Sequence, residues 1–489
     1  MSGGFDPIGV ATEPGHFIDG GYVRDDCATM PVYRPSDGAA HADVCVGNEA
    51  LVDRAVQAAK RAQPAWAKAP PRDRARVLRR WADAMDAHVA EIARIEAVVS
   101  ARLYSEALAV DVANSAEWLR YYAECCDKVD GALLPTADSA LAVVSHEPYG
   151  VVGAIAPWNF PLILAMWKVA PALAAGNAVV LKPSELTPFS IARVAQLAVE
   201  AGLPAGLFNV VHGDGPSVGA AIVRHPDVAY VAFTGSTATG RRLMADAADT
   251  GPKPVGLELG GKGAQLVFAD AGDLEHVAQH VAWGITRNGG QLCYAGSRLI
   301  VHASVRDELV ERVRAKFAEL TPKRTWEAGA GLAPILNERQ AERIEGIVAD
   351  SIAAGARAIV GGARIEREGG GVWYAPTILD SIPSQMRACR EEIFGPVLTV
   401  QTFDDEAEGL ALASDTDYGL TASVYSRDIS RAVSAARALP AGTVWVNRWG
   451  RAPDFTAPFG GWKHSGIGKE AGIAGYQKYL REKAIWFDL

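Results

Sequence analysis

The sequence predicts a two-domain α/β protein with largely parallel sheets. From Gly150 onward, short apolar runs that predict strands alternate with helical patterns, and a second such series follows Leu259. Alternation of this kind is typical of βαβ units, in which a helix connects two parallel strands. A chain of 489 residues also exceeds the length that one core usually holds. We therefore expect two α/β domains that meet near residues 258–263.

The first third of the chain predicts helices and few strands. Apolar residues recur at helical spacing from Arg72 to Ser100, and a second helical pattern runs from Ser105 to Cys126. Residues 131–144 then change to short runs that are typical of strands. We expect a strand-poor entry, two helices and a short β segment.

The two later series predict the strands of the sheets, each run being followed by a polar or glycine-rich turn. The first series predicts strands at Val151–Ala156, Ala178–Leu181, Phe208–Val211 and Val228–Phe233. The second predicts strands at Arg298–Val301, Val397–Phe403, Ala422–Tyr425 and Thr443–Val446.

Composition argues against several classes of protein. The formal net charge of −9 offers no basic surface for nucleic acid or anionic membranes. The most apolar stretch, Leu162 to Leu181, contains Lys168 and Pro171 and therefore predicts a core segment rather than a membrane span. The N-terminus lacks the pattern of a secretory signal, and six cysteines in this length predict reduced thiols. We expect a cytoplasmic protein.

Cys293 is the candidate nucleophile. It lies in NGGQLCYAGSR, where Gly289 and Gly290 would let the backbone approach a ligand closely. A nucleophilic thiol needs access and a lowered pKa, whereas the alternative is a small buried apolar side chain. We keep that alternative for the other five cysteines: Cys27, Cys45, Cys125, Cys126 and Cys389.

Three further segments combine a predicted turn with groups that could carry chemistry. Glu258 ends an apolar strand in VGLELGGKG, where a carboxylate would face the ligand cleft of an α/β protein. Asn159, in PWNFP, could donate a hydrogen bond to developing negative charge. FTGSTATG, residues 233–240, opens a helix whose N-terminus could hold a pyrophosphate. The alternatives are a solvated or helix-capping acid for Glu258, a turn-forming Asn for Asn159, and an ordinary strand-to-helix turn for residues 233–240.

Together these segments resemble the aldehyde dehydrogenase superfamily. Seven motifs occur in order between residues 157 and 466: PWNFP, LKPSE, FTGST, LELGGK, GQLCYAGSR, EEIFGPV and PFGGWKHSG. The resemblance implies NAD(P)-dependent oxidation of an aldehyde to a carboxylic acid. It further implies that Cys293 attacks the aldehyde and carries the thioester, that Asn159 stabilises the oxyanion, and that Glu258 activates the hydrolytic water.

The resemblance also implies a cofactor site. Lys182 and Glu185 would bind the adenosine ribose, Ser236 the pyrophosphate, and Glu392 with Phe394 the nicotinamide ribose and ring. The other residues implied to bind the cofactor are Ala156, Pro157, Trp158, Ser184, Gly215, Phe233, Gly235, Gly240 and Leu259. A carboxylate at Glu185 accepts ribose hydroxyls but repels a 2′-phosphate, so we expect NAD, with NADP also open.

The implied substrate residues are Phe160, Trp167, Arg287, Tyr294, Arg451 and Phe459. Arg287 matches the arginine with which members resembling succinic semialdehyde dehydrogenase hold a carboxylate, but Trp167 replaces their second arginine. Arg448 and Arg451 would add positive potential at the tunnel mouth. An aldehyde with a carboxylate or polar end is one hypothesis. The equally weighted alternative is that these three arginines pair with local acids such as Asp454, or face solvent.

The implied architecture comprises two Rossmann-like α/β domains and a small β arm. An NAD-binding domain would span residues 1–126 and 149–258, and a catalytic domain residues 259–447. Residues 448–475 would form the tunnel-mouth loop and the return to the cofactor domain. Residues 127–148 and 476–489 would form an oligomerisation arm for a homodimer or homotetramer.

Two other functions stay open. A CoA-acylating dehydrogenase usually lacks the glutamate of LELGG, which is present here as Glu258. A non-catalytic binding or structural protein on this fold would not need thiol, base and oxyanion donor together. We expect no metal, because His276 and His280 predict a helix-surface pair without a third ligand.

Overall fold

The computed structural model describes residues 3–24, 27–451 and 454–489. Its strands are β1 His16–Ile18, β2 Gly21–Val23, β3 Ala28–Tyr33, β4 Ala40–Val46, β5 Ala132–Leu134, β6 Ala140–Pro148, β7 Val151–Ile155, β8 Ala178–Lys182, β9 Phe208–Val210, β10 Val228–Thr234, β11 Val255–Glu258, β12 Ala264–Val267, β13 Arg298–His302, β14 Arg357–Val360, β15 Arg364–Ile365, β16 Trp373–Tyr374, β17 Thr377–Asp380, β18 Val397–Phe403, β19 Tyr418–Gly419, β20 Thr421–Tyr425, β21 Thr443–Val446, β22 Trp462–Lys463, β23 Gly466–Ile467 and β24 Leu480–Asp488.

The α-helices are α1 Glu49–Lys68, α2 Pro71–Ala87, α3 Val89–Val99, α4 Tyr104–Glu106, α5 Ala113–Cys125, α6 Pro161–Ala174, α7 Phe189–Glu200, α8 Ala220–Arg224, α9 Thr237–Asp249, α10 Leu274–Thr286, α11 Ala303–Ala318, α12 Glu338–Ala353, α13 Arg387–Arg390, α14 Glu406–Ser414, α15 Ile429–Ala438 and α16 Gly472–Gln477. Short 3₁₀ turns lie at Pro7–Gly9 and Arg287–Gly290, and π-helical turns lie at Ala107–Val112 and Gly215–Gly219.

The first predicted series of strands forms the centre of an eight-stranded sheet, in the order β2-β1-β9-β8-β7-β10-β11-β23. Strands β9, β8, β7, β10 and β11 run parallel, with helices between consecutive strands, which confirms the predicted α/β class. Their register aligns Ile155 with Lys182 and Phe233, and Thr234 with Glu258. The carboxyl ends of four parallel strands therefore meet along one edge, where α/β proteins bind ligands.

The second series forms a seven-stranded sheet in the order β14-β17-β18-β13-β12-β20-β21. Only its edge strand β14 is antiparallel to its neighbour, and the other pairs are parallel. Strand β12 lies between β13 and β20, although the sequence analysis did not predict it. All four of its residues are buried, so the segment lacks the alternation of buried and exposed positions that identifies a half-exposed strand.

The N-terminal third departs from its predicted pattern in two ways. The strand-poor entry is wrong, because β1 to β4 all precede the first helix. The two predicted helices are each divided: α2 and α3 meet at His88, and a π-helical turn at Ala107–Val112 separates α4 from α5. Apolar periodicity reports which face is buried and does not reveal a one-residue break or a locally wider turn.

A three-stranded antiparallel sheet in the order β24-β6-β5 pairs the C-terminal segment with strands from the 127–148 segment. Strand β24 begins at Leu480, since Gly472–Gln477 is helical. Among the described helices, none is both long and apolar enough to span a membrane.

The expectation that all cysteines are reduced is wrong for Cys27 and Cys45, which form a disulfide. The pairing of β3 with β4 sets Thr29 opposite Cys45 and brings the two cysteine Cα atoms within 5.5 Å. That separation suits a disulfide, but it follows from strand register rather than from spacing along the chain. Cys125, Cys126 and Cys389 are free and buried, as predicted.

Candidate functional site

One cavity of about 380 Å³ has both Cys293 and Glu258 on its walls. Thr234 and Glu470 lie on the same walls, close to the carboxyl ends of β10 and β11. The cavity is also lined by the six residues implied to bind substrate: Phe160, Trp167, Arg287, Tyr294, Arg451 and Phe459. Residues separated by more than three hundred positions in the sequence thus surround one space.

The backbone before Cys293 turns sharply at Asn288, Gly289 and Gly290, which all have positive φ angles, of 52°, 63° and 73°. A side chain at Gly290 would overlap the backbone of Gly395. The glycines therefore permit close packing of this turn against another segment of the chain. This intramolecular contact holds the Cys293 loop in position, and the close approach of a ligand to Gly289 and Gly290 stays a prediction.

The surroundings of Cys293 disfavour a thiolate. Burial raises the pKa of the thiol, and the carboxylates of Glu392 and Glu258 raise it further. Hydrogen bonds from the backbone N–H groups of Cys293 and Tyr294 oppose this rise without outweighing it. The lowered pKa expected of a nucleophile is therefore not produced by the protein groups around the sulfur, and an added positive charge beside it would favour the thiolate.

Glu258 is buried at the end of β11, and neither of its carboxylate oxygens has a hydrogen-bond partner among the described residues. Gly460 lies directly against it, where a side chain would collide with Oε1. Burial, and then the nearby charge of Glu470, raise the pKa of Glu258 well above its ordinary value. The carboxyl group is thus free to accept a proton from a water molecule in the cavity.

A buried charge cluster lies behind Glu258. Lys168 donates hydrogen bonds to Thr234 Oγ1 and Glu470 Oε1, both at 2.6 Å, and Lys478 lies 3.1 Å from the same Oε1. The sequence analysis did not identify these residues as functional. Lys168 could have been identified from the sequence, because a lysine inside an apolar helix needs a buried partner.

Asn159 lies in the turn between β7 and α6, as predicted, and is 5% exposed. Its Nδ2 donates to the backbone oxygen of Gln291 at 3.0 Å, two residues before Cys293. Asn288 Nδ2 in turn donates to the backbone oxygen of Asn159 at 2.9 Å. These bonds join the Asn159 turn to the Cys293 loop and leave the second hydrogen of the Asn159 amide available.

The predicted adenosine and pyrophosphate residues follow the aligned strand ends. Lys182 ends β8, and its Nζ lies 2.9 Å from Glu185 Oε2. Ser236 caps the N-terminus of α9 by accepting a hydrogen bond from Thr239 N, and the first turn of α9 carries no acidic residue. A helix N-terminus whose first turn has no acidic residue fits a pyrophosphate, and Lys182 with Glu185, at the same edge of the sheet, fits the ribose of a dinucleotide.

The predicted nicotinamide residues lie near Cys293. Glu392 Oε1 accepts a hydrogen bond from Gly261 N at 3.0 Å, and burial raises the pKa of Glu392 to about 7. Phe394, at a φ of 58°, packs edge-on against Trp158 with ring centres 5.2 Å apart. The other predicted cofactor residues occupy or flank the strand ends and nearby turns: Ala156, Pro157, Ser184, Gly215, Phe233, Gly235, Gly240 and Leu259.

The three arginines differ in their partners. Arg287 Nε lies 3.5 Å from Glu106 Oε1, so its acidic partner is Glu106 rather than the predicted Asp454. Arg448 donates to the backbone oxygen of Gly450. Arg451 forms no ion pair with a described carboxylate; its Nη2 donates to two backbone oxygens, and its Nη1 is buried without a partner.

The histidine pair engages the backbone. His276 Nε2 lies 3.0 Å from the backbone oxygen of Asn447, and His280 Nδ1 accepts a hydrogen bond from Trp449 N. Both contacts connect α10 to the segment that follows β21. The described residues contain no cluster of three or more potential metal ligands.

Comparison with known proteins gives full-length matches. The sequence model of the Aldehyde dehydrogenase family matches residues 22–485. The NADP/NAD-dependent aldehyde dehydrogenase PuuC of Escherichia coli is 39% identical over 485 residues, covering 99% of this chain and 97% of that protein. The aminoacetaldehyde dehydrogenase of Pseudomonas aeruginosa is 42% identical over 485 residues, covering 96% and 95%.

A solved structure agrees with these matches. The crystal structure of an indole-3-acetaldehyde dehydrogenase in complex with NAD⁺ is similar to this chain, with a TM-score of 0.97 at 40% identity. The similarity covers 99% of this chain and 98% of that one.

Proposed function

The chain belongs to the aldehyde dehydrogenase family and is an NAD(P)-dependent oxidoreductase that converts aldehydes to carboxylic acids; we propose that Cys293, Asn159 and Glu258 carry out this reaction. The observation that carries the assignment is the single cavity that Cys293 and Glu258 share, with both Glu258 oxygens unpartnered. A thiol and a carboxyl group with access to one space can act in turn on one carbonyl carbon.

In the first step, the Cys293 thiol gives its proton to water in the cavity and its sulfur bonds to the aldehyde carbon, while the electron pair of the C=O π bond moves to the oxygen and makes it an oxyanion. The free hydrogen of the Asn159 amide and the Cys293 N–H are the donors that stabilise it. When bound, the nicotinamide of NAD(P) accepts the hydride that leaves this carbon. The thioester that remains on Cys293 is hydrolysed by a water molecule that gives its proton to Glu258.

We propose that Glu470, Lys168 and Lys478 set how tightly Glu258 holds that proton. Glu258 must lose its proton again before the next turnover, and the negative charge of Glu470 opposes that loss by raising the pKa of Glu258. Lys168 and Lys478 hold Glu470 in the ionised form, since both hydrogen bonds favour the carboxylate. The pair of carboxyl groups therefore has one site that keeps a proton and one that stays charged.

The cofactor residues support NAD with NADP as a weaker alternative. Glu185 is the residue that would meet a 2′-phosphate, and its carboxylate would repel that group. Lys182 lies 2.9 Å away and reduces the repulsion without removing it. Glu392 and Phe394 would border the nicotinamide end, because they lie against Gly261 and Trp158 near Cys293.

For the substrate, we propose an aldehyde with an aromatic or otherwise apolar body and an acceptor group, a carboxylate above all, at its far end. The cavity walls include aromatic side chains, and the Arg451 guanidinium lies 5.6 Å and 5.4 Å from the ring centres of Trp118 and Trp167. Burial lowers the pKa of Arg451, and its Nη1 lacks an acceptor. A substrate carboxylate would supply both the missing acceptor and a counter-charge.

A matched pair of aldehydes tests this substrate class. With NAD, NADH formation is followed for 4-carboxybenzaldehyde and benzaldehyde. Arg451→Leu should lower kcat/KM for the acid by roughly 10- to 100-fold, the range of one charged hydrogen bond, and change benzaldehyde little. Arg448→Leu is the control, since the hydrogen bond that Arg448 donates among the described residues is to the backbone of its own loop. Equal losses for both aldehydes in Arg451→Leu would reject the recognition role.

The same assay separates the remaining alternatives. An aldehyde dehydrogenase that uses water should form NADH and free acid in equal amounts, with no acyl-CoA when CoA is added. Absence of NADH with every aldehyde would instead support a non-catalytic role for this chain.

For the assembly, we propose that β24, β6 and β5 form an arm that pairs with a second copy. Trp486 is 66% exposed, Phe487 47% and Leu133 71%, so this small sheet presents large apolar side chains to solvent. Exposed apolar surface on an edge sheet favours coverage by another chain. Trp486→Glu should reduce the mass measured by light scattering, and an unchanged mass would contradict the proposal.

We also propose the domain division at residue 258, with the cofactor domain on the eight-stranded sheet and the catalytic domain on the seven-stranded sheet. Strand β23, from the 448–475 segment, pairs with β11 and supports a return of the chain to the cofactor domain.

A further inference from the structure

Four charged side chains lie together beside the cavity. Arg102 is fully buried and pairs with Asp111 through two hydrogen bonds of 2.7 Å and 3.1 Å. Glu106 lies between the two arginines of the cluster: its Oε2 is 2.8 Å from Arg102 Nη2, and its Oε1 is 3.5 Å from Arg287 Nε. Two arginines and two carboxylates leave this cluster without net charge.

The cluster is connected to the cavity on two sides. Arg287 lines the cavity directly, and the Arg102 guanidinium packs 4.2 Å from the ring centre of Phe160, which also lines it. Glu106 precedes the π-helical turn Ala107–Val112, whose Ala109 and Val110 form part of the cavity wall. A change of charge at Glu106 would therefore be felt inside the cavity.

Loss of the Glu106 carboxylate, unlike loss of Asp111, would leave the positive charge of Arg287 without a counter-charge. Asp111 keeps its double hydrogen bond to Arg102 without Glu106, so Arg102 stays neutralised. Arg287 has no other ion-pair partner within the described ranges. Burial alone would raise the pKa of Glu106, but Arg102 and Arg287 outweigh it and lower that pKa, so Glu106 is ionised.

We infer that Glu106 sets the charge preference of the substrate cavity by neutralising Arg287. This inference rests on the proposed aldehyde dehydrogenase activity and refines its specificity. With Glu106 in place, Arg287 adds little net attraction for a substrate carboxylate, and Arg451, which forms no ion pair with a described carboxylate, is the cation that the substrate meets.

The test uses three aldehydes of one shape: 4-carboxybenzaldehyde, benzaldehyde and 4-(trimethylammonio)benzaldehyde. Glu106→Gln should raise the kcat/KM ratio of the acid to benzaldehyde by roughly tenfold and lower the ratio of the cation to benzaldehyde. The double variant Glu106→Gln with Arg287→Leu should lose this gain. Glu117→Gln is the matched control, because it removes a carboxylate from an arginine pair on the surface.

A second variant covers failure of Glu106→Gln to fold. Arg287→Gln would leave Glu106 as an excess negative charge, so the cation-to-benzaldehyde ratio should rise. If Arg287 instead binds substrate carboxylates directly, the kcat/KM ratio of the acid to benzaldehyde falls in this variant and the ratio of the cation to benzaldehyde does not change. That result overturns the inference. Unchanged ratios in Glu106→Gln overturn it as well. Retained benzaldehyde oxidation shows in each case that the proposed function itself stands.

Discussion

The cavity has two parts that are built differently. In the catalytic part, Glu258 and Glu470 are buried, Cys293 is half-buried, and the Glu258 oxygens have no hydrogen-bond partners among the described residues. In the recognition part, Arg287 and Arg451, one charge is matched by Glu106 and the other has no ion pair with a described residue. The reaction therefore depends on buried carboxylate oxygens that lack hydrogen-bond partners, whereas substrate choice depends on which arginines of the cavity lack an ion-pair partner.

Removal of the sulfur tests the catalytic part most severely. Cys293→Ala should reduce aldehyde oxidation by about 10⁴-fold or more, because no other group can form the covalent bond to the carbonyl carbon. Steady-state NADH formation measures the loss. Cys389→Ala, which also removes a buried thiol, should retain most activity. Comparable activity in the two variants would contradict the assignment of Cys293.

Loss of the oxyanion donor should have the next largest effect. Asn159→Ala should slow hydride formation by about 10²- to 10³-fold, since one missing donor leaves the oxyanion less stabilised. Pre-steady-state NADH absorbance isolates this step. Asn288→Ala is the comparison, because it removes the amide that donates to the backbone oxygens of Asn159 and Gln291 and so tests support of the Cys293 loop. Equal losses in both variants would assign the Asn159 side chain to support alone.

A change at Glu185 should have a moderate effect on cofactor choice. Glu185→Gln removes the charge that repels a 2′-phosphate, so the kcat/KM ratio of NADP to NAD should rise by roughly tenfold. Specificity constants for both cofactors with one aldehyde measure this ratio. A ratio that does not move would show that another residue meets the ribose.

The smallest expected effect is a shift in pH dependence. Hydrolysis needs ionised Glu258, whose raised pKa makes that form scarce at low pH, so turnover should increase as pH rises. Glu470→Gln removes one nearby negative charge, which lowers the pKa of Glu258 and moves the acidic limb of the profile to lower pH. A shift to higher pH, or none, would contradict the coupling between the two carboxyl groups.

Sequence and structure contribute differently to the two parts. Cys293, Glu258 and Asn159 belong to short motifs at strand ends and turns, so their approximate positions follow from the α/β pattern. The partner of Arg287 could not be predicted, because Glu106 is 181 positions away in the chain and comes close to it only in the folded structure. Pairings across the fold, including Cys27 with Cys45, depend on tertiary contacts that no local pattern records.

Rapid mixing of the Glu258→Gln variant with NAD and aldehyde tests whether Cys293 forms the thioester and Glu258 is needed only for its hydrolysis. We expect a burst of NADH close to one equivalent per active site, followed by turnover that is slowed by about 10²- to 10⁴-fold. Mass spectrometry should find the acyl adduct on Cys293. Normal steady-state turnover, or a burst without an adduct on Cys293, would contradict the division of labour between this thiol and this carboxylate.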